Sequence, residues 1–149
     1  MPFAIASDHA GFRLKEAIRD YLDKKGLSYH DFGSEEPADY TDQALLVAEA
    51  VAKGQYQFGI LVCGTGIGMA ITANKVTGIR AAVCHDTFSA RMAREHNDSN
   101  ILTMGERIIG VGLALDVVEA FLGAEFLGGR HAMRVDKIVA VEKKYSRET

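Results

Sequence analysis

Short apolar runs alternate along the chain with segments whose apolar positions recur at helical spacing. Residues 3–6, 27–32, 59–62, 79–84 and 100–104 read as strands, since each is a compact stretch closed by glycine or by a polar turn. Between the first two runs, Leu14, Ile18, Tyr21 and Leu22 share one helical face, and Gly26 stops it. Ala44, Val47, Ala48 and Val51 do the same ahead of Gly54, after an acidic loop, Glu35-Glu36-Pro37-Ala38-Asp39-Tyr40. A helix from Ile67 to about Lys75 follows the third run. The next carries Phe88 and Met92, can be capped by Asp86 or Thr87, and ends near His96-Asn97-Asp98. Residues 112–122 form a helix with Leu113, Val117, Val118 and Phe121 inward. Gly128-Gly129-Arg130-His131 opens a last helix containing Val135, Ile138, Val139 and Tyr145.

Strands that alternate with helix-length crossovers predict an α/β protein. The expected fold is three-layered and Rossmann-like: a parallel sheet of about five strands with helices on both faces. The strand at 79–84 is expected to be central and covered. With no internal repeat and no linker, residues 1–149 form one domain. A hydrophobic content of 48% and a charged content of 25% suit one packed core. The net charge of −3 gives no basic footprint for nucleic acid. No apolar run reaches the about 18 residues of a membrane span. The opening Met1-Pro2-Phe3-Ala4-Ile5-Ala6-Ser7-Asp8 lacks a basic region, so no signal peptide is expected. Two cysteines without metal-type spacing suggest reduced thiols and a cytoplasmic location.

Parallel strands bring their carboxyl ends to one edge, where ligands bind in such folds. The residues just past those ends are Asp8-His9, Gly33-Ser34, Cys63-Gly64-Thr65, His85-Asp86 and Gly105-Glu106-Arg107. The densest signal is Cys63-Gly64-Thr65-Gly66-Ile67-Gly68, a strand end passing through a glycine turn into a helix. Amides at that helix start point at whatever lies above them, an anion or a developing oxyanion. They also stabilise a thiolate, which makes Cys63 a candidate base near neutral pH. Each residue keeps a second reading. Cys63 can be a small buried core residue, Asp8 a helix cap, His85 a loop residue and His96 a cap at a helix end. His30 reads as a solvated strand position. Arg130 and Arg134, one turn apart, are either surface arginines or a pair converging on a phosphate or carboxylate.

Several motifs taken together resemble the type B ribose-5-phosphate isomerases, a family grouped with the subunits of galactose-6-phosphate isomerase. They are Ser7-Asp8-His9-Ala10-Gly11-Phe12, the Cys63 to Gly68 loop, Ala73-Asn74-Lys75, Gly78-Ile79-Arg80-Ala81, Arg94-Glu95-His96-Asn97-Asp98, Gly105-Glu106-Arg107 and Gly128-Gly129-Arg130-His131 with Arg134. The resemblance runs over nearly the whole chain. It implies interconversion of D-ribose 5-phosphate and D-ribulose 5-phosphate through a cis-enediolate, with Cys63 as base and His96 assisting ring opening. It further implies enediolate donors in the backbone of Gly64, Thr65, Gly66, Ile67 and Gly68, with Thr65 relaying a proton. Asp8, His9 and Asn97 would contact sugar hydroxyls, and Arg107, Arg130 and Arg134 the phosphate. Family members with serine in place of the cysteine carry a glutamate after the loop. Here Met69-Ala70-Ile71 follows, which cannot take a proton and so favours Cys63. The family uses no metal or other cofactor. Its members are homodimers or homotetramers with sites shared between subunits, the C-terminal helix taking part in dimer contacts.

Two other readings remain open at this stage. An aldose 6-phosphate, allose or galactose 6-phosphate, would need one more carbon between the reacting end and the phosphate. A dinucleotide-binding module would use Gly64-Thr65-Gly66-Ile67-Gly68 with Asp86 on a ribose, although that fingerprint wants its third glycine at Met69 and normally follows the first strand.

Overall fold

The computed structural model describes residues 2–33 and 38–146. Five parallel strands form one sheet in the order β2-β1-β3-β5-β4: β1 (Phe3–Ser7), β2 (Tyr29–Asp31), β3 (Gly59–Cys63), β4 (Ala81–Val83) and β5 (Ile101–Gly105). The connecting helices are α1 (Phe12–Lys24), α2 (Tyr40–Ala52), α3 (Ile67–Ala73), α4 (Thr87–Glu95) and α5 (Val111–Leu122), and α6 (Arg130–Tyr145) closes the chain.

Alternate strand residues face opposite sides of the sheet, so the unbroken apolar runs build two cores. Ile5, Ile60, Val62, Leu102 and Met104 pack with Leu14 and Ile18 of α1, Ala90 of α4, and Val117 and Phe121 of α5. On the other face Ala4, Ala6, Leu61 and Ile101 meet Val47 and Val51 of α2 and Met69 and Ala73 of α3. The small side chains of β1 on that second face let α2 sit close to the sheet. The three-layer expectation is borne out.

Two details differ from expectation. β4 is not central; it lies at the edge and pairs with β5, leaving Val83 exposed. An apolar run reports helices on both faces but not a strand on both sides, which is why the sequence pattern does not separate edge from centre here. Cys84 is nevertheless buried, because it follows β4 into the core beneath α4 and α5. On α5, Val117, Val118 and Phe121 face inward as expected, but Ala114 is buried where Leu113 was expected, and Leu113 is exposed. β2 and α3 are also shorter than read, and α6 buries His131 and Val135 alone. Ser34 and the acidic residues Glu35 and Glu36 lie outside the described residues. Among the described residues no helix is long and apolar enough to cross a membrane.

Candidate active site

The chain leaves β1 for β2 on one side and for β3 on the other, which opens a crevice at their carboxyl ends. A cavity of about 530 Å³ lies there, with Asp8, His9, Cys63, Gly64, Thr65 and Arg107 in its wall. Ile67 and Gly68 complete the glycine-loop side. A slightly larger depression of about 560 Å³ between α4 and α5 contains none of the predicted residues.

Local geometry explains why the loop reads as it does. Gly66 sits at φ 79°, and a Cβ on it would lie 2.9 Å from backbone atoms of Met104. Only glycine tolerates both that backbone conformation and that closeness. The turn delivers the Gly66 N–H to Cys63 Sγ at 3.1 Å, a donor from which a thiolate accepts better than a thiol. Cys63 itself is 5% exposed, at the cavity floor. Thr65 Oγ1 accepts from the Ile67 N–H at 3.2 Å, and Thr103 Oγ1 donates to the Gly66 carbonyl at 2.8 Å. Asp8 Oδ1 accepts from the Gly11 N–H at 3.1 Å, so Asp8 both caps the turn before α1 and lines the cavity. His9 is exposed beside it.

Arg107 is positioned by backbone. Glu106 and Arg107 donate their N–H groups to the carbonyls of Cys63 and Gly64 at 2.9 and 3.1 Å. The guanidinium then rests within 3.6 Å of where a Gly64 Cβ would be. Glu106 Oε1 accepts from the Leu14 N–H at 2.8 Å, tying the same turn to α1. Among the described residues Arg107 has no ion-pair partner, so its charge is available to a ligand.

The remaining predicted residues do not reach this cavity within one chain. α4 starts past β4 at the carboxyl edge and runs back, so His96 and Asn97 stand at the amino edge, where the Asn100 and Gly59 N–H groups meet the carbonyls of Arg80 and Asn100. There the His96 ring stacks on His131, with centroids 4.0 Å apart and planes 10° from parallel. Burial holds the His131 imidazole below its usual pKa, and the charges of His96, Arg130 and Arg134 lower it further. Arg130 and Arg134 are exposed on α6, without acidic partners among the described residues. Asp98, at φ 49°, turns the chain after Asn97 and pairs with Arg80 and Arg94 at 3.3 and 3.0 Å. The predicted residues thus form two clusters, one at each edge of the sheet.

Two further residues bear on the first cluster, one in its wall and one behind it. Tyr40, read above only as the end of the acidic loop, lines the cavity with its ring against Gly68; the missing side chain at Gly68 was the available signal. His85 accepts the Gly105 N–H on Nε2 at 2.9 Å. Asp86, the ribose-binding candidate of a dinucleotide module, spends its carboxylate on the Ser89 N–H and hydroxyl as the cap of α4.

Fold and cavity define an α/β protein with a crevice at the carboxyl edge of a doubly wound sheet, where a thiol lies beneath the Arg107 guanidinium. Residues 3–138 match the family model for ribose/galactose isomerases. The ribose-5-phosphate isomerase B of Escherichia coli is 48% identical over 143 residues, covering 95% of this chain and 96% of that protein. A D-erythrulose-4-phosphate isomerase of Pectobacterium atrosepticum is also 48% identical, with 93% of each chain covered. The Clostridium thermocellum ribose-5-phosphate isomerase B structure superposes with a TM-score of 0.95 at 57% identity, over 98% of this chain and 100% of that one. The chain belongs to the ribose/galactose isomerase family and is an aldose–ketose isomerase, as the resemblance of its motifs implied.

Proposed function

We propose that the protein interconverts D-ribose 5-phosphate and D-ribulose 5-phosphate through a cis-enediolate formed in the Cys63 cavity. The observation that carries this reading is the meeting of Cys63, Asp8, His9 and Arg107 in one cavity at the switch point. Cys63 as thiolate removes the proton at C2 of the open-chain aldose and returns it at C1. Of the loop amides, the Gly66 N–H serves Cys63 Sγ and the Ile67 N–H serves Thr65 Oγ1, which leaves those of Gly64, Thr65 and Gly68 to face the two enediolate oxygens, with Thr65 relaying a proton between them. Asp8 and His9 orient hydroxyls, while Arg107 takes the phosphate. Related proteins named for a four-carbon and a five-carbon sugar phosphate match this chain equally well, so whole-chain identity does not decide substrate length. Ribose 5-phosphate is favoured by the relatives and solved structures that carry its name.

The second cluster reaches this site from a second subunit in a homodimer or homotetramer. Its four residues, His96, Asn97, Arg130 and Arg134, stand at the edge opposite Cys63, and the two arginines have no acidic partner among the described residues. α6 exposes Met133, Ile138, Val141 and Tyr145, and Ile67 and Ile71 are exposed beside the cavity. Apolar surface of this kind suits an interface between copies. His96 of one subunit would then open the sugar ring above Cys63 of the other, with Arg130 and Arg134 joining Arg107 on the phosphate. The reduced, unpaired thiols of Cys63 and Cys84 fit a cytoplasmic setting.

A complementation assay tests the whole reading. Cys63→Ala and His96→Asn homodimers should each be nearly inactive on ribose 5-phosphate. After denaturation, mixing and refolding, half the dimers are mixed and each has one intact site, so about a quarter of wild-type activity should return. No return, with mixed dimers verified by mass, would refute the shared site.

A further inference from the structure

We infer that His85 is a positioning residue for phosphate binding: its Nε2 lone pair ends the β5 hydrogen-bond ladder and fixes the turn that carries Arg107. The inference rests on the reading of Arg107 as a phosphate-binding residue.

β4 stops at Val83, opposite Thr103, and the last backbone contact between the two strands is the Cys84 N–H on the Thr103 carbonyl at 3.1 Å. Two residues on, the Gly105 N–H points the same way, toward a strand that has already ended. The ring of His85 fills the vacant acceptor position at 2.9 Å. From the other side the turn is held by the Cys63 and Gly64 carbonyls, and from below by Glu106 on the Leu14 N–H. Gly105 also lies so close to the loop that a Cβ on it would be 2.5 Å from Thr65 Cα. Displacing this turn therefore moves Arg107 and Thr65 together.

An acceptor Nε2 must be unprotonated, which places the ring proton on Nδ1. An imidazolium would set one N–H against another and release the turn. Burial favours the neutral ring, and the adjacent Asp86 opposes it. Among the described residues the turn itself adds Glu106 and Arg107, of opposite sign. α3, packed on the same strands, has no titratable side chain, and the first turns of α4 and α5 are uncharged.

The test uses sulfate as a competitive inhibitor, because its charge is constant between pH 5.5 and 7.5. At pH 7.5, His85→Ala should raise the sulfate Ki and the KM for ribose 5-phosphate about fivefold, with kcat changed less, as expected for one lost positioning hydrogen bond. His85→Gln, whose Oε1 accepts at every pH, should stay within about twofold of wild type. As pH falls from 7.5 to 5.5 the ratio of wild-type to Gln-variant Ki should rise toward the Ala-variant value. That ratio serves alone if the Ala variant fails to fold. An unaltered Ala variant, a Gln variant as weak as Ala, or a ratio constant with pH would overturn the inference. Arg107→Ala separates the two readings: if it leaves sulfate binding intact, the phosphate role of Arg107 fails and this inference with it, whereas a loss there beside an unaltered His85→Ala sinks the His85 role alone.

Discussion

Replacing Gly66 by alanine tests the geometry beneath the proposed chemistry. The residue lies at φ 79°, where a side chain costs about 1–2 kcal/mol in local strain. The new Cβ would also stand 2.9 Å from the N, Cα and C atoms of Met104, in a strand paired on both sides that cannot recede. Overpacking of that kind adds about 1–3 kcal/mol, giving a total loss of about 2–5 kcal/mol. Gly54 is a built-in control, because it has nearly the same conformation, φ 77°, with nothing within 4 Å of an added Cβ. Gly54→Ala should cost only the strain, about 1–2 kcal/mol, and leave kcat unchanged. Gly66→Ala should also lose turnover, since relief of the clash must move the amide that faces Cys63 Sγ. Urea midpoints at one fixed protomer concentration, with kcat measured on the same preparations, decide the matter. Equal stability losses at the two positions, or wild-type turnover in Gly66→Ala, would refute the reasoning.

Acid should destabilise the fold before any carboxylate titrates. His85 and His131 are both held below the ordinary histidine value of 6.5, so the unfolded chain binds protons first as pH falls. Their contribution is complete above that value and declines below it, and the urea midpoint should be lower at pH 5 than at pH 7.5; a higher midpoint at pH 5 would contradict the assignment. His96→Asn should slow the reaction from ribose 5-phosphate, largely a closed ring, more than the reverse from ribulose 5-phosphate, and equal losses in the chemical step would give His96 another role.

Much of this was legible in the sequence because its signals are local. The glycines at 66 and 68 announce a turn with no room for side chains, and the run ahead of Cys63 is the covered strand it resembled. Asp8, His9 and Arg107 share the cavity because parallel strands deliver their ends to one edge, whatever the sequence distance between them. What pattern does not carry is lateral order. The edge position of β4 depends on which strand follows the switch point, and its apolar residues fit either place. The end of α4 at His96 was read correctly, but a helix that starts at the carboxyl edge carries its last residues back to the amino edge, away from the Cys63 cavity of the same chain. Tyr40 was missed, and His85 was placed at the right edge without its role, for another reason. Each acts by touching a glycine distant in sequence, and such contacts leave no periodic trace.

The most direct measurement of the central claim follows proton transfer itself. Ribose 5-phosphate in D₂O should lose its C2 proton to solvent and convert to the ketose with wild-type protein, as read by NMR. Cys84→Ala should behave as wild type, because Cys84 lies in the core on the far face of the sheet, with its thiol pushed up to about 11 by burial and by Asp86. Cys63→Ala, folded and of unchanged assembly, should lose at least about 10²-fold in both conversion and exchange, the scale of a missing general base. Exchange or turnover by Cys63→Ala within tenfold of wild type would show that another group moves the proton.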